Sequence, residues 1–158
     1  MNRLVPTCAA FAAVATFAVS AHAQVTVKDP WVRATVSQQK ATGAFMQITS
    51  TQDARLVEAK SPVAGVVEVH EMTMEKDVMR MRAVPGLDLP AGKAVELKPG
   101  GYHVMLMDLK QQMKEGETVP LTIVVEGKDK KRSTVEVKAT VKPLAAAAPA
   151  RMDHQHKH

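Results

Sequence analysis

A chain of 158 residues is long enough for one domain with appendages. Its net charge of +5 comes from dispersed basic residues, and a single Trp and a single Tyr offer no base-stacking platform, which argues against nucleic acid as a partner. The lone cysteine, Cys8, excludes an intrachain disulfide framework.

Residues 1–23 read as a cleaved secretory leader. Arg3 supplies a short basic region, an apolar run extends from Val5 to Val19, and Ala21-His22-Ala23 has the small-x-small form of a signal-peptidase site. The run is too short and too alanine-rich to favour a spanning helix. Cys8 lacks the leucine and small residues that precede a lipidated cysteine. The mature chain is then expected to be secreted and to begin at Gln24, with no cysteine and no membrane span.

From residue 24 to 142 the chain reads as short strands separated by turn signals. VTVKDPWVRAT is extended and broken at Pro30. TGAFMQITS alternates, with Ala44, Met46 and Ile48 on one face. RLVEAK ends at Ser61-Pro62. VVEVHEMTM and VMRMRAV flank a polar turn at Glu75-Lys76-Asp77. PGLDLPAG, rich in Pro and Gly, reads as a loop. AVELKPGGYHVMLMDL holds two strands around a turn at Pro99-Gly100-Gly101. VPLTIVVEG and STVEVKATV bracket the charged turn Lys128 to Lys131 as a closing hairpin. Helical periodicity is weak throughout, so the expected fold is an all-β sandwich or barrel in one domain. Residues 143–158 differ: PLAAAAPA reads as a linker, and ARMDHQHKH as a flexible polar tail with too little apolar surface to pack.

The chemistry-bearing residues are clustered. Met72, Met74, Met79 and Met81 fall within ten residues of one another, and His70 lies just ahead of them. Alternate strand residues share a face, so His103 and Met105 project together and Met107 continues their row. His70, Met72 and Met74 form a second row. A turn centred on Lys76-Asp77 would set Met74 opposite Met79 and Met72 opposite Met81, with Met81 diagonal to His70. Two such edges could close a His2Met2 site. Thioether sulfur with neutral imidazole suits Cu(I) better than zinc, magnesium or calcium. Thioethers also bind without losing a proton and cannot be drawn into disulfides. Spacing alone does not choose Met81 over Met72 or Met79. Met46 and Met113, with no histidine beside them, read as core filler.

The spacing H-x10-M-x21-H-x-M, on His70, Met81, His103 and Met105, resembles the signature of the periplasmic PCuAC copper chaperones. HEMTM, VMRMRAVPGLDLPAG and LKPGGYHVMLMDLK are also similar to that family, and the likeness runs from about Trp31 to Val141. The resemblance implies a cupredoxin-like β-fold without the usual cysteine ligand. It implies Cu(I) held by His70, Met81, His103 and Met105. It also implies copper delivery towards cytochrome c oxidase, to the CuA domain of its subunit II, beside a Sco-type protein.

Met152, His154, His156 and His158 form a second cluster in the tail, and several imidazoles suit Cu(II). No Ser-His arrangement, paired carboxylates or phosphate loop stands out, so a carrier is expected and not an enzyme. Electron transfer of the blue-copper type needs a Cys thiolate, which the mature chain lacks. Periplasmic copper storage or resistance is the closer alternative, given the tail.

Overall fold

The computed structural model describes residues 23–147. Ten strands follow in chain order: β1 (Val25–Arg33), β2 (Ala41–Ser50), β3 (Ala54–Lys60), β4 (Ala64–Glu75), β5 (Val78–Ala83), β6 (Leu87–Leu89), β7 (Ala94–Leu97), β8 (Tyr102–Leu109), β9 (Thr118–Gly127) and β10 (Arg132–Lys142). Leu144–Ala147 form a 3₁₀ turn. The strands hydrogen-bond in the order β5-β4-β8-β2-β1-β10-β9-β3-β6, and β7 also pairs with β2. The β1–β10 pair is parallel and the other pairs are antiparallel. The first half of β2 pairs with β8 and its second half with β7. The sheet curls until β3 lies against β4.

Alternation places one face of each strand inside. Ala44, Met46 and Ile48 of β2 and Val104 and Leu106 of β8 meet Leu56 and Ile123 from the far side of the sheet, all buried. Met113 is fully buried and Met46 is 3% exposed, so both are core methionines, as expected. At about 25 cal/mol per Å2 of apolar surface removed from water, each large side chain in this core contributes roughly 1.5–3 kcal/mol.

The structure departs from the sequence reading at three places. Pro30 does not end β1. A bulge between Lys28 and Trp31, with Asp29 at φ 48°, carries the strand past it. Proline has no N–H to give, and a bulge is where a ladder can spare one. PGLDLPAG is not wholly a loop: Leu87 and Leu89 alternate into the core and pair with Leu56 and Ala54 of β3. Three residues are too few to show a strand's period in the sequence. The stretch expected to be a linker opens with the 3₁₀ turn, which touches β1.

The β4–β5 hairpin closes through Lys76 and Asp77, both with positive φ (49° and 62°). Such a two-residue turn matches the strand twist and fixes the register. Met74 is opposite Met79 and Met72 opposite Met81, with His70 opposite Ala83, as the turn-centred reading required. β4 pairs with β8 only as far as Glu71 and Tyr102. Beyond that point the hairpin projects past the sheet. One bond still ties it down, from the Met72 N–H to the Gly101 carbonyl at 3.1 Å.

Candidate metal centre

β8 turns Val104 and Leu106 inward and His103, Met105 and Met107 to the opposite face. A side chain on that outer face would ordinarily be wet, yet His103 is only 5% exposed. Two neighbours contribute to its cover. The Phe45 ring lies 6.2 Å from the His103 ring, centroid to centroid, and the Met81 sulfur lies against its edge. Phe45 is itself held by Trp31, its direct partner on β1, with ring centroids 4.4 Å apart, and by the Arg33 guanidinium 5.5 Å above its ring. Gly43, two residues before Phe45 on the same face, makes room for this ring. A Cβ at Gly43 would meet the Phe45 Cζ at 2.8 Å.

The hydrogen bonds of His103 fix where its lone pair points. Its Nδ1 lies 3.1 Å from the Gly101 carbonyl oxygen. A carbonyl can only accept, so Nδ1 carries the proton and the neutral ring presents a lone pair at Nε2. That Nε2 faces the Met81 Sδ at 3.1 Å. Two donor atoms with no proton between them face one another. Donors that share one ion at bond lengths of about 2.0–2.3 Å stand roughly 3–4 Å apart. Burial holds the His103 imidazole below its ordinary pKa. The Gly101 carbonyl opposes that shift, while nearby His70 and Arg33 add to it. Proton competition for Nε2 is thereby moved to lower pH.

His70 sits directly opposite His103 on the adjacent strand, with ring centroids 5.8 Å apart. Its Nε2 lies 2.9 Å from the Glu68 Oε2. In the neutral ring, Nε2–H donates to that carboxylate and the lone pair falls on Nδ1. This Nδ1 is buried and has no hydrogen-bond partner. An unpaired buried polar atom is costly, roughly 1–3 kcal/mol, and a metal ion would satisfy it. The carboxylate behind the ring is the usual outer support of a ligating histidine. Glu68 shares its face with His70 and lies opposite Met105. One residue past His70, Glu71 accepts from the Arg82 guanidinium at 2.9 and 3.2 Å. Arg82 and Tyr102 are its partners on β5 and β8, so this row ties three strands together beside the histidine pair. The Arg82 contact, first, and the neighbouring Tyr102 hydroxyl hold the Glu71 carboxyl below its ordinary range.

Met81, Met105, Met72 and His103 line one shallow cavity of about 200 Å3, with Arg33 and Phe45 at its wall. Met81 is the methionine in contact with His103, Met105 is half-buried, and His70 stands behind His103 without lining the cavity. Met79 is at the hairpin end opposite Met74, and Met107 lies opposite Ala41 and Val66. Among the described residues, no three His, Cys, Asp or Glu side chains come together as a metal site. Met152, His154, His156 and His158 lie outside the described residues. The sequence reading missed Glu68, the Gly101 carbonyl and the Gly43–Phe45 cover. Period-two alternation could have found Glu68, whereas the other two depend on a turn and on non-local packing.

Comparison with known proteins follows the same lines. Residues 25–141 match the family described as "Putative lipoprotein LpqE-like". The chain is 33% identical over 100 residues to "Putative lipoprotein Lxx21020" of Leifsonia xyli, an alignment spanning 63% of this chain and 60% of that protein. Apo-DR1885 from Deinococcus radiodurans is 36% identical, with 90% of this chain and 97% of that one covered at a TM-score of 0.55. Its CuI form matches at 36% identity and TM-score 0.58, covering 78% of this chain and 83% of that one. The copper-bound PCuAC domain of PmoF2 is 23% identical with a TM-score of 0.61, covers 78% of this chain and 99% of its own, and shares the cupredoxin-like all-β fold. The chain thus belongs to the LpqE-like family, and it shares its fold with the PCuAC domains that its sequence resembles.

Proposed function

We propose that this protein is a copper carrier that holds Cu(I) through His70, Met81, His103 and Met105. One observation carries the reading: the Gly101 carbonyl fixes the proton on His103 Nδ1, so that Nε2 aims its lone pair at the Met81 sulfur 3.1 Å away. The unpartnered His70 Nδ1 and the half-buried Met105 supply the remaining donors of a soft His2Met2 set. Names of relatives support it, since DR1885 has a CuI form and the PmoF2 domain a copper-bound one. An exposed thioether on an edge strand can leave the ion more easily than a buried thiolate, which suits cargo that must be handed on. Met81 is 48% exposed.

The carrier acts in the cell envelope, after cleavage of the residue 1–23 leader in the periplasm. The lipoprotein name of the Leifsonia relative supports an envelope setting. No helix among the described residues is long and apolar enough to cross a membrane. Its acceptor is a copper-accepting protein such as the CuA domain of cytochrome c oxidase subunit II, or a Sco-type partner. Met152, His154, His156 and His158 add a station for Cu(II). The direct test replaces His103 by Ala and Met105 by Leu together. Tight one-to-one Cu(I) binding is then lost, and an unchanged affinity would sink the reading. Transfer from loaded protein to a soluble CuA domain tests delivery. The full chain and a chain ending at Lys142 are compared, and transfer by neither form would favour storage.

A further inference from the structure

The β4–β5 hairpin has two unlike faces. One carries Thr73 opposite Arg80, Glu71 opposite Arg82 and Glu75 opposite Val78. The other carries only thioethers beyond His70: Met72 opposite Met81, then Met74 opposite Met79. The outer pair does no core work. Met74 is 63% and Met79 48% exposed, against 3% and 0% for the core methionines Met46 and Met113. Single exposed apolar residues need no explanation. Two directly opposed methionine pairs in one row, ending on a histidine lone pair, are a different arrangement.

The geometry suits a soft ion at the outer pair. Cβ atoms of directly opposed residues lie about 4.5–5.5 Å apart. Two metal–sulfur bonds of about 2.3 Å each place the sulfurs at most about 4.6 Å apart. Flexible methionine side chains on opposed strands reach that separation without moving the backbone. The turn at Lys76-Asp77 holds the pair in register, because both residues adopt the positive φ that a two-residue hairpin needs.

We propose that Met74 and Met79 form a second, two-thioether station for Cu(I), from which the ion passes along the Met72–Met81 pair to His103. The proposal rests on the copper reading above. With two neutral donors and high exposure, this station binds more weakly than the four-donor site and fills after it. Met74 at this end is 63% exposed, against 48% for Met81 nearer the histidines.

The test labels the methionine methyl carbons of the whole protein and adds Cu(I) anaerobically, followed by NMR. The Met81 and Met105 methyls shift with the first equivalent, and the Met74 and Met79 methyls shift together with the second. In the Met74→Leu/Met79→Leu variant the second response disappears and the first remains. Leucine conserves volume at these exposed positions, so the fold is retained, and the unchanged first response reports it. Movement of Met81 and Met105 without movement of Met74 and Met79, up to a molar excess of Cu(I), overturns the station and leaves the main site standing. No methyl movement at all overturns the copper reading, and the station with it.

Discussion

Gly43 is the most informative position to perturb, because nothing about its chemistry suggests a role in a metal centre. Its replacement by Ala gains backbone rigidity: a glycine in a strand costs roughly 0.5–1 kcal/mol relative to Ala. Against that gain, the new methyl would stand 2.8 Å from Phe45 Cζ and 3.2 Å from Cε2. The ring cannot retreat freely, since Trp31 packs on it and Arg33 lies over it. Overpacking of this kind costs typically about 1–3 kcal/mol. The net effect is destabilisation of about 1–2 kcal/mol, or a Tm lower by roughly 4–8 °C for a domain of this size. The second consequence is local. A displaced Phe45 uncovers His103, so its pKa rises back towards the ordinary imidazole value of 6.5, because burial is the largest cause of its depression. Calorimetry of the apo protein and NMR titration of the His103 ring check both. A Gly43→Ala protein as stable as the parent, with an unmoved His103 titration, would refute the argument that Phe45 seals the site.

Three further outcomes are expected. Glu68→Gln keeps shape but weakens the acceptor behind His70, and competition with a Cu(I) chelator should show about a tenfold loss of affinity, the low end for an outer-shell partner; no loss would remove Glu68 from the site. The folded-state pKa of His103 is depressed, so the unfolded chain binds the proton first as pH falls. The apo protein should then lose stability from pH 6.5 downward until His103 titrates in the folded state, a slope that urea unfolding at stepped pH would detect and that His103→Gln should flatten. Replacing Lys76-Asp77 by Asn-Gly relieves two positive-φ residues and should raise stability by about 0.5–1 kcal/mol with copper stoichiometry unchanged; a fall in stability would mean the turn is not of the type described.

The parts of the site that were legible in the sequence are those governed by short-range periodicity. Histidine and methionine two apart on β8 had to share a face, and a two-residue turn at Lys76-Asp77 had to set Met72 against Met81. What stayed hidden depends on which strands become neighbours. Burial of an outward-facing His103 requires β2 beside β8 and β1 beside β2, so that Trp31 can press Phe45 towards it. Choosing Met81 over Met72 or Met79 needed a family spacing, because all three satisfy the same alternation. In the structure the Met81 sulfur lies 3.1 Å from His103 Nε2. The short strand Leu87–Leu89 was unreadable for a related reason: its partner, β3, lies some thirty residues away in the chain.

X-ray absorption of the Cu(I)-loaded protein reads the donor atoms around the ion. Two nitrogens at about 2.0 Å and two sulfurs at about 2.3 Å are expected, with a sulfur lost in Met81→Leu. A shell of nitrogen and oxygen alone, or one untouched by that replacement, would contradict the His2Met2 site.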